Sequence, residues 1–262
     1  MRRAARALVA AVLLAAGLGT LAGCPHRFDR PAEGPTEAAP VLARLAERSQ
    51  ALHSLSGMLS LEVWRGDERV RLHQLVLVER PDRIRVDTLS PFDQPLAMMA
   101  SDGHVVSIYS LENRRFERGA ASPGNLARLL RLPLSGEELT ALLGGGAPAL
   151  PGATASLDWD TEQGAYVLDM RSGERHQRLW IEPQAWRMVE TRIYQGDTLV
   201  LSARFGDYDG TGPTAVPQRM RFEVPAEKLR VDAVFEDHAV NVTPPADAFT
   251  VEPPAGIPVE PL

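Results

Sequence analysis

The chain has 262 residues, a formal net charge of −6 and a single cysteine. An acidic balance is a poor match for nucleic acid, because phosphate contacts need concentrated Lys and Arg. One cysteine also excludes an internal disulfide, so a domain of this size must be held by its apolar core.

The first residues read as an export signal. Arg2, Arg3 and Arg6 form a basic patch, Ala7 to Leu18 is an apolar run, and Leu21-Ala22-Gly23-Cys24 places small residues before the cysteine. The run is short for a membrane span of about 20 residues. An ordinary secretory signal or a single anchor would also begin this way, but Cys24 stands where lipid attachment needs it. Residues 1–23 are therefore expected to be removed as a signal peptide. Their loss removes three arginines and no acid, taking the net charge from −6 to −9. Several acyl chains on Cys24 would give stable anchoring. No other cofactor is expected.

Residues 24–40 hold Pro25, Pro31, Pro35, Pro40 and Gly34, and read as a flexible tether. Val41 to Leu55 follows a helical period, with Leu42, Leu45 and Leu52 near one face and Pro40 in the first turn. From Ser56 the period changes to two. Leu59, Leu61 and Val63 alternate with polar residues, Gly66-Asp67 makes a turn, and Val70, Leu72, Gln74, Val76 and Val78 line one face of a second strand.

Asp82 to Ser101 reads as a hairpin. Ile84, Val86 and Thr88 share one face of its first strand, and Leu96, Met98 and Ala100 share one face of its second. Ser90-Pro91-Phe92-Asp93-Gln94-Pro95 has turn chemistry, yet its tip carries a large apolar ring. Phe92 either folds back onto the core or projects as a probe of a lipid or partner.

Two helical segments, inserted at about 124–144, interrupt the sheet. Asn125–Arg131 carries Leu126, Leu129 and Leu130, and Ser135-x-x-Glu138 forms a capping-box pattern before Leu139, Leu142 and Leu143. Gly144-Gly145-Gly146 stops the second helix. The two-residue period then resumes to about Phe235, with turns at Gln163-Gly164, Ser172-Gly173, Gln195-Gly196 and Asp209-Gly210. The pattern predicts an antiparallel sheet of roughly eleven to thirteen strands, too many to stay flat. It should curl over residues 41–240 into an unclosed barrel covered by the helices. Residues 241–262 hold six prolines and read as loop or tail.

No catalytic constellation stands out. The six histidines lack metal-ligand spacing, and H-E-x-x-H, G-x-S-x-G and Walker patterns are absent. Asp207 to Gly212 begins like a calcium loop but has Gln218 where a bidentate Glu is needed, so a hairpin turn is the better reading. The four tryptophans fit either a ligand cavity or the core. An enzyme is not expected.

The order of parts resembles the LolA/LolB superfamily of lipoprotein carriers. The matching parts are the lipobox, Leu55-Ser56-Gly57, Ser90-Pro91-Phe92-Asp93, Leu132-Pro133-Leu134-Ser135, Leu142-Leu143-Gly144, Gly206-Asp207-Tyr208-Asp209 and Pro217-Gln218-Arg219-Met220. Over roughly residues 52–224 the chain is most similar to the LolB-type outer-membrane receptors. The ending, Pro244 to Thr250 and Pro253 to Gly256, looks more like the LolA-type soluble carriers.

This resemblance implies an unclosed antiparallel barrel that holds acyl chains under a helical lid. It implies a lipid-anchored monomer on the periplasmic face of the outer membrane, with lipoprotein cargo and a LolA-like carrier as partners. A hydrophobic loop tip, here Phe92, would help insert cargo. Candidate cavity residues are Leu61, Val63, Leu72, Val76, Val86, Met98 and Leu168, with the inward strand parity left open. The alternative role is a lipid- or protein-binding sensor or envelope-assembly factor of the same fold, without cargo transfer.

Overall fold

One fourteen-stranded sheet organises the chain, in the order β14-β6-β5-β4-β3-β2-β1-β13-β12-β11-β10-β9-β8-β7. The computed structural model describes residues 27–148 and 150–262; Cys24 and the signal segment lie outside the described residues. The first arm is β1 (Ser54–Arg65), β2 (Glu68–Glu79), β3 (Arg83–Leu89), β4 (Pro95–Ser101), β5 (Val105–Ser110) and β6 (Arg115–Ala120). The second is β7 (Thr154–Asp160), β8 (Ala165–Ser172), β9 (Arg175–Ile181), β10 (Met188–Gln195), β11 (Thr198–Asp209), β12 (Val216–Val224) and β13 (Leu229–Val240). β13 pairs with β1 and joins the arms, and the whole meander is antiparallel. β7 and β14 remain at opposite ends of the order, so the sheet curls without closing.

Alternate connections of a meander fall at the same end of its strands. The β1–β2, β3–β4, β5–β6, β8–β9, β10–β11 and β12–β13 turns therefore form one rim. The β2–β3, β4–β5, β7–β8, β9–β10 and β11–β12 turns form the other. Leu59, Leu61 and Val63 face inward from β1, opposite Gln74, Leu72 and Val70 of β2. At Gly57 β1 and β13 approach closely: a Cβ there would sit 2.4 Å from the Asp237 carbonyl, beside the bulge between Met58 and Leu59. Only glycine tolerates that approach.

Three helices cover the concave face. α1 (Ala38–Ala51) contacts the β11–β12 connection and β7, with Val41 and Arg48 buried. α2 (Pro123–Leu130) has Ser122 as N-cap, its side chain accepting the Asn125 N–H, and Pro123 in its first turn. α3 (Gly136–Leu143) carries the full capping box. The Glu138 N–H donates to Ser135 Oγ at 3.2 Å, and the Ser135 N–H donates to Glu138 Oε2 at 2.8 Å. Glu138 also pairs with Arg175 of β9, which ties the start of α3 to the second arm.

Two expectations change. Residues 24–40 do not form a free tether along their described length. The Phe28 N–H donates to the Thr161 carbonyl at 2.8 Å, Trp159 Nε1 donates to the Phe28 carbonyl at 2.9 Å, and Arg30 stacks over Tyr166. The segment is thus docked on the β7–β8 hairpin. Residues 241–262 are likewise more than tail. Phe249 and Val251 bury themselves against the outer face of the first arm, and β14 (Val259–Pro261) pairs in parallel with β6. Arg118 donates to the Val251 carbonyl at 2.8 Å and Arg85 to the Ala248 carbonyl at 3.2 Å. Proline-rich chain cannot form a regular ladder, but side-chain donors from the sheet satisfy its carbonyls instead.

A lidded apolar cavity and an exposed aromatic tip

Between the concave face of the first arm and α2–α3 lies a cavity of about 260 Å³. That is close to the lower end of the roughly 300–1,000 Å³ usual for ligand pockets. Its floor is Leu59, Leu61 and Val63 of β1, Leu72, Gln74 and Val76 of β2, Val86 and Thr88 of β3, and Ala97 and Met99 of β4. Phe222, Leu229, Val231 and Ala233 continue it onto β12–β13, and Leu129, Leu130, Leu132, Leu139 and Leu143 roof it. Within the described residues the lining holds no Asp or Glu, and its only charged members are Arg65 and Arg131. Chemically, such a lining can exclude water from an alkyl chain.

The structure places five of the seven expected cavity residues, Leu61, Val63, Leu72, Val76 and Val86, together on this surface. Met98 is a correction. Val86 pairs with Met99, so Met99 faces the cavity while Met98 turns outward beside Ala100, Phe116 and Val251. The cause is the register shift between Thr88 and Leu89, which seats Thr88 opposite Ala97 rather than Leu96. Leu168 is the second correction. It is fully buried between Leu157 and Leu179 in the second arm, as core rather than cavity wall. The tryptophans also stay off the cavity: Trp159 and Trp186 pack against Tyr166, Trp180 under Arg192, and Trp64 under Arg69 and Arg230. Asp207 pairs with Arg219 at 2.9 Å near the end of β11, as a hairpin residue would.

The loop Ser90–Pro95 stands on the rim that also carries Arg65 at the end of β1. Phe92 is 85% exposed, which decides its position: it projects and does not fold into the core. The loop is held by its own backbone. The Asp93 N–H donates to the Ser90 carbonyl at 2.9 Å and the Ser90 N–H to the Gln94 carbonyl at 2.8 Å. Ser90 Oγ lies 3.2 Å from both the Phe92 and Gln94 nitrogens. Asp93 takes a left-handed backbone (φ 58°), and its carboxylate sits 2.9 Å from His73 Nδ1 on β2. With Pro91 at the second turn position, the ring is presented on a pre-shaped loop.

Sequence reasoning missed two further residues. Arg48, 4% exposed, donates from Nη2 to the Gly144 carbonyl at 2.6 Å and to the Ala215 carbonyl, fastening α1 to the end of α3 and to the β11–β12 connection. Burial lowers its guanidinium from the ordinary value, partly opposed by the neighbouring Tyr208. Burial likewise raises the Tyr208 phenol, which donates to the Met188 carbonyl at 2.6 Å. Arg131, which lines the cavity in a left-handed conformation (φ 61°) just past α2, is the other. An arginine inside one amphipathic helix and another just past a leucine-rich helix carry no signal of these positions in the sequence.

Filling the cavity should be specific in its effect. In Ala97→Phe the ring would take the room of three or four methylenes, each worth ~0.8 kcal/mol, so affinity for a long acyl chain should fall more than about tenfold. Titration with a fluorescent fatty acid reads this, and unchanged affinity would mean that chains bind elsewhere.

No family model matches the sequence, and no curated protein matches it significantly. Solved structures do share its fold. A LolA superfamily protein from Nitrosomonas europaea superposes with a TM-score of 0.58 at 14% identity, over 83% of this chain and 99% of that one. A domain from Vibrio parahaemolyticus assigned to outer membrane lipoprotein sorting gives 0.57 at 12%, over 80% and 94%. A DUF1329 family protein from Desulfovibrio piger gives 0.60 at 15%, over 80% and 95%. The chain thus shares its fold, an unclosed antiparallel sheet under short helices, with these three structures.

Proposed function

We propose that the chain is an acyl-chain-binding lipoprotein of the outer membrane, facing the periplasm, that receives lipoprotein cargo from a LolA-like carrier and helps insert it. The observation that carries this reading is the apolar, lidded cavity opening toward the rim where Phe92 projects. A 14-carbon chain moved out of water gains on the order of 10 kcal/mol at ~0.8 kcal/mol per methylene. The bilayer offers the same gain, so cargo can leave such a cavity without an energy source. The fold neighbour named for lipoprotein sorting supports the same role.

Transfer is the direct test. Purified protein loaded with a radiolabelled acylated lipoprotein and mixed with liposomes should release label into the membrane fraction, and its depletion in cells should strand outer-membrane lipoproteins. Binding without release, and no stranding, would favour the sensor role instead. Anchoring is tested separately through Cys24. Cys24→Ala should abolish labelling by an acyl precursor and free the protein from membranes; normal attachment of that variant would sink the anchored reading.

A further inference from the structure

The chain carries an excess of acid, 34 Asp and Glu against 28 Lys and Arg, yet the charge lining its cavity is entirely positive. Arg65 ends β1 and Arg131 follows α2; both are exposed, which places them where the cavity meets solvent. Arg65 already holds Glu227 at 3.2 Å, in a half-exposed pair. Arg131 makes no hydrogen bond, ion pair or ring contact with any described residue. It also sits in a left-handed backbone conformation that side chains rarely adopt.

A cation after a helix C-terminus is common, because it complements the last carbonyls. This one instead stands unpaired at the edge of an apolar chamber. A guanidinium there has the planar donors that match a carboxylate or phosphate.

We propose that the cavity mouth selects amphiphiles with an anionic head, which Arg131 holds with Arg65 beside it while the alkyl chain fills the cavity. The selection rests on the acyl-binding reading above and adds free anionic lipids to its ligands, since the ester- and amide-linked chains of lipoprotein cargo carry no anionic head. Carboxylate and phosphate heads share the chemistry, so both belong in the test.

Dissociation constants for hexadecanoate, hexadecyl phosphate and neutral hexadecanol should be measured on delipidated protein, below micellar concentrations, with acetate and inorganic phosphate as chainless controls. Either anionic amphiphile should bind roughly three- to tenfold more tightly than hexadecanol, the worth of one half-exposed charged contact. Raising the salt should narrow that gap. Arg131→Gln should bring the ratio close to one, Arg131→Lys should keep most of it, and Arg65→Gln should cost less because Glu227 already occupies that side chain.

Which anionic amphiphile gains more identifies the head the site prefers. Equal binding of acid and alcohol, or a preference untouched by Arg131→Gln, overturns the selection while leaving the acyl cavity standing. Tight binding of the chainless anions overturns it too, since the site would then be a free-anion site. No binding of any long chain sinks both readings.

Discussion

Phe92→Glu is expected to leave the fold intact and slow delivery into membranes. The ring is 85% exposed and its loop is held by backbone hydrogen bonds and by Ser90 Oγ, none of which involves the phenyl group. Surface changes of this kind usually shift stability by less than about 0.5 kcal/mol. Burying a Phe side chain in an apolar phase gains about 1.5–3 kcal/mol, and a charged tip forfeits that gain. Transfer to liposomes should therefore slow by roughly ten- to a hundredfold, while binding of cargo is retained. Phe92→Leu keeps an apolar tip and should transfer at close to the parent rate. A stopped transfer assay beside a thermal melt separates the outcomes. Wild-type transfer by Phe92→Glu would remove the tip from the mechanism, and a collapsed melt would make the ring a packing residue.

Arg48→Met is expected to have the largest effect on stability, about 2–4 kcal/mol. The thioether preserves much of the volume but donates nothing, so the Gly144 and Ala215 carbonyls lose their shared partner inside the protein. Its stacking with Tyr208, at 5.6 Å, goes as well. Chemical denaturation should report the loss, and a change below about 0.5 kcal/mol would show that water or another donor replaces the guanidinium. Because Gly144 ends α3, the same variant should loosen one side of the cavity roof, visible as faster amide exchange over Leu139–Leu143.

Much of this architecture could be read from periodicity. The alternation of Leu59, Leu61 and Val63, the capping box at Ser135 and Glu138, and the glycines that end α3 all appear where local chemistry puts them. The tip at Phe92 was visible because an apolar ring between two prolines is out of place in a wet loop. Met98 was not, because β4 is apolar on both faces and the bulge beside Leu89 reverses which face turns inward. The outer face of β4 is apolar because Phe249 and Val251 return from 150 residues away to cover that arm, and no local pattern announces such a partner. Leu168 was assigned to the right sheet and the wrong arm, since alternation fixes a face and says nothing of position along a curl.

The docking of Phe28 sets a limit on reach. Thr161, its partner, belongs to the β7–β8 turn, on the rim opposite the one that carries Phe92. Twelve-residue strands such as β1 and β13 are roughly 40 Å long, whereas the four residues from Cys24 to Phe28 can extend at most about 14 Å. A protein held at Cys24 with Phe28 seated would thus present its aromatic tip away from its own leaflet, toward the aqueous space from which the proposed cargo would arrive. Turning the tip onto that leaflet requires the stretch up to Glu37 to peel from Trp159 and Tyr166. Peeling lengthens the leash from four residues to thirteen, or up to about 45 Å. In the proposed carrier the short segment on the β7–β8 hairpin would therefore divide receiving from delivering, with the indole bond to the Phe28 carbonyl as its catch.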